Sequence, residues 1–211
     1  MYQPPHFRED NPGVQHALIR AHPLGLLVTA GPSGLEANHI PFVLDPAGAV
    51  LQGHVARPNP QWQGFDPANE ALVVFQGPEA YITPSWYAVK AETGKVVPTW
   101  NYAVVQVRGW LRVVEDHDWL RAQIEALTRS QEDQREHRWQ VSDAPAAYVE
   151  AQIRGIVGIE IAITRIDGKW KVSQNRAERD RAGVVAGLRE GGDEAGLAMA
   201  ELVAAPRKVA P

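Results

Sequence analysis

The sequence predicts a mostly β, α+β fold: a small barrel of six to seven strands with peripheral helices. Three observations predict it. Short runs of β-branched and apolar residues recur along the chain, turns containing Gly and Pro separate them, and helical segments are inserted between them. No internal repeat and no break in composition divides the chain. We therefore expect one domain over residues 1–188 and a C-terminal tail, 189–211, that is a weak helix or disordered.

The first elements are a helix and three strands. Asn11 and Pro12 favour the start of a helix, because Asn is a good cap and Pro suits the first helical position. Turns containing Gly and Pro then connect three apolar runs, which predicts a meander of hairpins. The strands are expected over residues 24–30, over 35–44 with an interruption at Pro41, and over 49–56. Residues 58–62 are expected to lead into a short helix.

The remaining elements alternate between strands and helices. Gly77 and Pro78 are expected to end the fourth strand. Asp167 and Gly168 are a strong two-residue hairpin signal, so we expect the last two strands to form a hairpin. The later strands are expected over residues 70–76, within 96–114, and over 156–166 and 169–172, with 80–83 extending or following the fourth strand. The later helices are expected over residues 116–128, 144–152 and 177–188.

Composition narrows the classes of function. The chain has 211 residues, a formal net charge of -4 and no cysteine, which excludes disulfides, thiolate zinc sites and cysteine nucleophiles. The mild acidic excess disfavours a nucleic-acid-binding protein. No stretch approaches the roughly 18 apolar residues that span a bilayer, and the N-terminus lacks the features of a signal peptide. We expect a soluble, cytoplasmic protein without a membrane partner.

Motifs of several large enzyme classes are missing from the chain. There is no G-x-G-x-x-G after a strand, no Walker A sequence, no G-x-S-x-G and no H-E-x-x-H. His6, His16, His22 and His39 lie on different predicted elements, and their spacing matches no metal-binding pattern. We therefore expect no metal, and the sequence assigns no catalytic residue.

The densest polar cluster, His54, Arg57 and Asn59, lies around the end of the third predicted strand. A guanidinium at this position can bind a phosphate through two hydrogen bonds. Asn59, at the start of a short helix, can add a further donor. The alternative is that Arg57 pairs with a nearby acid and that His54 is an ordinary hydrogen-bonded strand residue.

A second polar patch, Asn38 and His39, interrupts an apolar strand just before Pro41. Polar side chains in a sheet need partners, and a proline removes one hydrogen bond from the ladder and leaves a carbonyl free. These features suit hydrogen bonding to the edge of a flat ring. The alternative is an edge strand with exposed polar residues.

Two further polar clusters follow. Trp100 and Asn101 combine an aromatic ring with an amide, which is common at interfaces and planar-ligand sites. Lys171 and Gln174, near the end of the last predicted strand, offer donors to an anion or a ring carbonyl. The alternatives are ordinary core with a turn for the first cluster, and for the second a solvated strand end at which Ser173 or Asn175 caps the next helix.

Six separate blocks of this sequence resemble the PaiB-type, FMN-binding negative transcriptional regulators. The resemblance spans roughly residues 1–188, and the blocks occur in the order found in that family. They are Met1-Tyr2-x-Pro4-x-His6-Phe7 and the segments 35–41, 53–60, 81–87, 95–102 and 168–176.

The resemblance implies an FMN-binding split barrel, similar in fold to the pyridoxamine-phosphate oxidases, that forms a homodimer with the flavin at the subunit interface. It implies that the phosphate lies near Arg57, that the ring edge meets the second and third strands, and that the partner chain closes the site. The implied cofactor-binding residues are Asn38, His39, Ile40, His54, Val55, Arg57 and Asn59, together with Trp100, Asn101, Lys171 and Gln174 as the closing residues.

Two hypotheses for function follow from the resemblance. The first is a flavin-binding regulator without turnover, in which DNA as a partner is implied by the family name alone. The second is a flavin-dependent oxidoreductase, or a haem-degrading relative of the same fold, in which the flavin performs the electron chemistry. In that case His39 or His54 would serve as the proton donor near the ring.

Overall fold

The computed structural model describes residues 1–205, and within them it contains eight strands and seven α-helices. The strands are β1 (Arg8–Glu9), β2 (Leu24–Gly31), β3 (Gly34–Pro41), β4 (Val43–Leu44), β5 (Val50–Ala56), β6 (Ala71–Ile82), β7 (Thr99–Val114) and β8 (Ile156–Lys171). The helices are α1 (Pro12–Ala21), α2 (Gln61–Gly64), α3 (Val89–Thr93), α4 (His117–Glu132), α5 (Ala146–Arg154), α6 (Glu178–Gly191) and α7 (Glu194–Ala204).

All eight strands belong to one sheet, in the order β3-β2-β6-β7-β8-β5-β4, with β1 paired to β8 outside this path. The pairs β2–β3, β2–β6, β4–β5, β5–β8 and β1–β8 are antiparallel. The predicted mostly β, α+β class is therefore confirmed. The strand count exceeds the predicted six to seven because β1 and β4 have only two residues each.

The start of α1 follows the sequence signal. The side-chain oxygen of Asn11 accepts a hydrogen bond of 2.9 Å from the backbone N–H of Gly13, and Pro12 is the first helical residue. An oxygen at this position satisfies one of the backbone donors that a helix leaves open at its beginning. The helix then buries Leu18 and Ile19.

The predicted meander of hairpins is confirmed, and the second predicted strand is divided into β3 and β4. Strands β2 and β3 pair along their whole length, from Leu24 with Pro41 to Gly31 with Gly34. Pro41 ends β3, since proline has no N–H for the ladder. The chain resumes as the short strand β4, which forms the second hairpin with β5, and β5 also pairs with β8.

The predicted hairpin at Asp167 and Gly168 is wrong, because β8 runs without a break from Ile156 to Lys171. A two-residue hairpin turn needs positive φ, and Gly168 is absent from the glycines with positive φ. Gly168 instead pairs with Glu9 of β1. A Cβ atom at Gly168 would lie 2.7 Å from the carbonyl oxygen of Glu9, so this glycine permits a close approach of two strands.

Strand β6 differs from its prediction in the same way. Gly77 and Pro78 do not end it, and the strand continues from Ala71 to Ile82. The segment 80–83 therefore extends the fourth predicted strand. A proline is compatible with a strand wherever the ladder needs no donor at that residue.

Contacts divide the chain into two compact units. The first contains Met1–Gln15, Gln76–Val105 and the residues from Asp167 onward; the second contains His16–Phe75 and Gln106–Ile166. In the second unit the core side chains of the sheet include Leu27, Leu51 and Phe75. A smaller cluster beside them joins α4 to α5 through Leu120, Val149 and Ile153.

The first unit has a helical core beside its strands. Helices α6 and α7 bury Val184, Met199 and Val203. Gly187 of α6 makes room for the side chain of Trp86, since a Cβ at this position would lie 2.2 Å from Cε2 of that indole. Part of the predicted tail, 189–211, is thus helix α7 with a buried face. Residues 206–211 of the tail lie outside the described residues.

The helices of residues 1–205 include none that combines the length and the apolar character needed to span a membrane.

Candidate functional site

The predicted ring-edge residues lie on β3, at one end of the strand order. Ile40 is buried, Asn38 is half-buried and His39 is exposed. The side-chain amide of Asn38 donates to Oε1 of Gln61 at 3.0 Å. The position of β3 corresponds to the edge-strand alternative, and it leaves His39 accessible to a ligand.

Gln61 organises the polar groups between β3 and α2, and the sequence reasoning did not select it. This residue is 1% exposed. Its side-chain amide lies within hydrogen-bond distance of the Leu27 and Glu36 carbonyls and of Oγ1 of Thr29. Its backbone N–H donates to the side chain of Asn59 at 2.9 Å. Asn59 therefore holds the start of α2, and Asn38, Asn59 and Gln61 form one hydrogen-bonded group.

The side chain of His54, on β5, is half-buried and contacts α4. Its Nδ1 atom lies 2.7 Å from Oε1 of Gln123, and Gln123 is 2% exposed. The Nε2 atom of Gln123 is buried without a hydrogen-bond partner among the described residues. The neighbouring Val55 points to the opposite face of β5 and is buried in the core.

Arg57, the predicted phosphate anchor, is bound by protein groups on three sides. Its guanidinium donates to Oε1 of Glu115 at 2.6 Å and to the backbone carbonyls of Arg154 and Ile156 at 3.0 and 3.1 Å. These contacts tie the end of β5 to the end of α5 and the start of β8. They correspond to the alternative in which Arg57 pairs with a nearby acid, and a phosphate at this position would compete with Glu115.

A second polar group lies in the other unit, where β8 ends beside the start of β7. The ammonium of Lys171 donates to Oγ1 of Thr99 and, at 2.6 Å, to the carbonyl of Trp100. The buried side chain of Asn101 donates to Oγ of Ser173 at 2.9 Å. Three of the four predicted closing residues, Trp100, Asn101 and Lys171, therefore meet in one place.

The fourth, Gln174, shapes the turn that follows β8. Its side chain accepts from the N–H of Val172 at 2.8 Å and donates to the carbonyl of Trp170 at 2.5 Å. Ser173 adopts φ of 64°, and no other non-glycine residue among 1–205 has positive φ. Ser173 does not cap α6, whose N-cap residue is Ala177. Left-handed backbone at a non-glycine residue is often found at functional sites.

Two further cations, Lys169 and Arg176, lie close to Lys171 and were not selected from the sequence. Lys169 is 9% exposed, and its Nζ atom lies 5.6 Å from the ring centre of Tyr2 and 5.3 Å from that of Tyr102. The guanidinium of Arg176 lies over the ring of Tyr87 at 4.6 Å. Burial lowers the pKa of Lys171, and the positive charges of Lys169 and Arg176 lower it further.

The predicted residues thus form two groups, one in each compact unit. Asn38, His39, Ile40, His54, Val55, Arg57 and Asn59 belong to the second unit, and Trp100, Asn101, Lys171 and Gln174 belong to the first. The sequence pattern that could have identified Lys169 and Arg176 as site residues was the basic segment 169–176, in which alternate strand positions carry lysine. The hairpin prediction at Gly168 obscured that alternation.

Other features of residues 1–205 offer weaker sites. A cavity of about 380 Å³ is lined by residues of α4 and the loop after it, among them Arg129, Arg138 and Trp139. It contains none of the predicted residues, and its arginines are paired with Glu125 and Asp133. Within the described chain, His, Asp and Glu side chains form no group of three suited to a metal ion.

Relatives of known sequence share most of the chain. A protein of Bacillus subtilis, "Protease synthase and sporulation protein PAI 2", is 31% identical, with 96% of each chain covered. An uncharacterized protein of Emericella nidulans is 41% identical over 224 residues, which cover 88% of this chain and 89% of the relative.

Solved structures share the fold. The FAD- and haem-binding protein of Mycobacterium smegmatis superposes with a TM-score of 0.60 at 15% identity, covering 83% of this chain and 78% of the other. The flavocytochrome Anf3 of Azotobacter vinelandii gives a TM-score of 0.59 at 12% identity, covering 83% and 75%. At these identities the likeness concerns the fold alone.

The family described as "Putative FMN-binding domain" matches residues 1–165, more than three quarters of the chain. Five of the six sequence blocks lie within these residues, and the antiparallel sheet with its helices and the full-length relative agree with the match. The chain therefore belongs to this family of FMN-binding split-barrel proteins, of the PaiB type.

Proposed function

We propose that this protein is a cytoplasmic homodimer that binds FMN between its subunits and acts as a negative regulator of transcription. The regulatory role is supported by the resemblance to PaiB-type negative transcriptional regulators, together with the identity of 31% to "Protease synthase and sporulation protein PAI 2" of Bacillus subtilis across nearly the whole of both chains. A formal net charge of -4 argues that any direct contact with DNA is local, because non-specific affinity for DNA depends on basic surface.

The two polar groups support the placement of the flavin. In the proposal, the isoalloxazine edge lies against Asn38, His39 and Ile40 of β3 and against His54 and Val55 of β5. The exposed His39 and the half-buried His54 offer ring nitrogens to the polar edge of a flavin. The other copy of the chain contributes the group around Lys171, whose neighbour Trp100 is 54% exposed and so has a free aromatic face.

The residues present suit a flavin phosphate as well as its ring. Lys169 is buried beside two other cations, and no carboxylate of residues 1–205 lies within 4 Å of its ammonium. A buried cation in such surroundings favours an anionic ligand. FMN, when bound, supplies electron-transfer and hydride chemistry. The protein residues supply binding, orientation and hydrogen bonds.

Three measurements on the purified protein test the proposal. A yellow solution that releases FMN on denaturation, and a dimer mass in sedimentation equilibrium, would support the flavin and the assembly. A gel-shift and footprinting assay with the promoter of the protein's own gene region would test regulation through DNA. A flavin-loaded dimer that protects no promoter fragment would contradict direct DNA binding while leaving flavin binding supported.

A flavin-dependent oxidoreductase is the second candidate, and the geometry of His54 favours it. If Nδ1 of His54 donates to Oε1 of Gln123, the other ring nitrogen is left as a proton acceptor. A fixed imidazole beside a flavin can exchange a proton with the ring or with a substrate. Anaerobic mixing of the FMN-loaded protein with NADH and NADPH tests this function. A flavin that neither donor reduces would contradict it.

A further inference from the structure

We propose that Lys169, Lys171 and Arg176 form a phosphate-monoester site, and that its occupant is the phosphate of FMN. The inference rests on the proposed function in one respect, namely that FMN is the ligand. It differs from the expectation drawn from sequence, which placed the phosphate at Arg57.

The first argument is the environment of Lys169. This lysine is 9% exposed and lies on β8 between the rings of Tyr2 and Tyr102. Among residues 1–205, no carboxylate approaches its ammonium within ion-pair distance. A buried charge needs a partner, and two tyrosine faces compensate only part of the lost hydration. An anionic ligand would complete the compensation.

The second argument is the spare donor capacity of Lys171. An ammonium has three N–H groups, and the structure uses two of them, on Thr99 and on the Trp100 carbonyl. Burial and the positive charges of Lys169 and Arg176 lower the pKa of Lys171. An anion among them would relieve this repulsion.

The third argument is the turn that brings Arg176 back to the strand end. Ser173 takes left-handed backbone, its Oγ accepts from Asn101, and its carbonyl accepts from the N–H of Arg176 at 3.0 Å. These bonds fix the path of the chain immediately after Lys171. Asp180, on the next helix, accepts a hydrogen bond of 3.0 Å through Oδ1 from the backbone N–H of Val89.

Charge balance distinguishes this cluster from Arg57. Arg57 is one cation with a carboxylate at 2.6 Å and two backbone carbonyls that accept from two more of its five N–H groups. The cluster has three cations and no ion-paired carboxylate among the described residues. A phosphate monoester carries nearly two negative charges at pH 7, which matches an uncompensated group of cations and not a neutral ion pair.

The experiment compares FMN with riboflavin, which lacks only the phosphate. Protein freed of flavin is titrated with each ligand by fluorescence quenching, for the original chain and for Lys169→Gln, Arg176→Gln and the control Arg57→Gln. We expect Lys169→Gln and Arg176→Gln each to weaken FMN binding by about tenfold or more, as for the loss of a charged hydrogen bond. The affinity for riboflavin should stay within about twofold of that of the original chain in every variant. The affinity of Arg57→Gln for FMN should also stay within about twofold of that of the original chain.

The outcomes separate the inference from the proposed function. If the original chain binds neither ligand, FMN binding itself fails. If FMN binds and only Arg57→Gln lowers its preference over riboflavin, the phosphate lies at Arg57 and the inference is overturned. If a thermal melt shows that Lys169→Gln is not folded, the result for Arg176→Gln decides alone. The side chain of Arg176 is only half-buried, so its replacement should leave the fold intact.

A further experiment distinguishes the phosphate of FMN from free inorganic phosphate as the ligand of this site. Inorganic phosphate is added to flavin-free protein, and the melting temperature is measured for the original chain and for Arg176→Gln. If inorganic phosphate competes with FMN but does not compete with riboflavin, the result supports the assignment of this site to the phosphate of FMN. A stabilisation by phosphate that Arg176→Gln removes, with FMN affinity unchanged in the same variant, would reveal an independent phosphate site and overturn the assignment to FMN.

Discussion

The Nδ1 atom of His54 lies 2.7 Å from Oε1 of Gln123, and this contact joins β5 to α4 across 69 positions of sequence. We predict that Gln123→Leu lowers the free energy of unfolding by about 1–3 kcal/mol, because the half-buried imidazole loses its partner. Gln131→Leu is the matched control, since Gln131 is an exposed residue of the same helix. Urea denaturation of both variants measures the difference. Equal effects of the two substitutions would show that the bond to His54 contributes nothing.

The ion pair of Arg57 and Glu115 leads to a prediction about stability and cofactor binding together. Both side chains are about half exposed, 42% and 55%, so the pair should contribute at most about 1 kcal/mol. We expect Arg57→Ala to lower the free energy of unfolding by about 1 kcal/mol and to leave FMN affinity unchanged. Calorimetric titration with FMN checks the second part. A tenfold weakening there would restore Arg57 as a phosphate ligand.

Gly168 provides a test of the continuous strand β8. A Cβ at this residue would lie 2.7 Å from the carbonyl oxygen of Glu9 and 3.1 Å from Cγ of Gln15. Gly168→Ala should therefore destabilise the protein by about 1–3 kcal/mol through overpacking. Gly191→Ala is the control, because no atom lies within 4 Å of a Cβ at that position. A Gly168→Ala variant as stable as Gly191→Ala would contradict the close approach of β1 and β8 at this residue.

His117 and Glu150 give a prediction for pH. The hydrogen bond from His117 to Glu150, at 2.7 Å, raises the pKa of this histidine, and contact with Asp118 raises it further. A raised pKa in the folded state means that the contribution to stability is present below about pH 6.5 and is lost as the pH rises through the folded value. An NMR titration of the imidazole should give a lower pKa in Glu150→Gln than in the original chain. An identical titration curve in the variant would contradict the assignment of the cause.

Local signals predicted much of this fold from the sequence. Asn11 and Pro12 mark the start of α1, and the apolar alternation of β8 corresponds to the buried Val157, Ile159 and Ile161. Each of these features depends on residues that are neighbours along the chain. Gly168 shows where local reasoning fails, because its role depends on a strand 159 positions earlier, which pairs it with Glu9.

The candidate site shows the same limit. The sequence indicated Trp100, Asn101 and Lys171 as polar residues near strand ends, and the structure brings them together through contacts that span about 72 positions. Lys169 was missed because a lysine at the start of a predicted strand, directly after a predicted turn, is normally solvated. Its burial between Tyr2 and Tyr102 depends on the N-terminal segment and on β7. Both are distant from Lys169 along the chain, so the residues around Lys169 could not predict this contact.

The exposed face of Trp100 leads to the prediction about assembly. Trp100 is 54% exposed and makes an edge contact with Tyr81, itself 48% exposed, at 5.9 Å between ring centres. Exposed aromatic pairs are typical anchors of protein interfaces. If this face closes the flavin site of a second copy, Trp100→Ala should raise the dimer dissociation constant by about 30-fold, as for a hot spot of about 2 kcal/mol.

The matched control for this prediction is Trp110→Ala, which removes an indole of similar exposure, 47%, from the same strand. Sedimentation velocity over a dilution series measures both variants, with and without FMN. FMN should shift Trp100→Ala back towards the dimer, because a ligand bound between subunits stabilises their association by mass action. A dimer that withstands dilution equally in both variants would place the subunit interface elsewhere, and the closing role of Trp100 would fall with it.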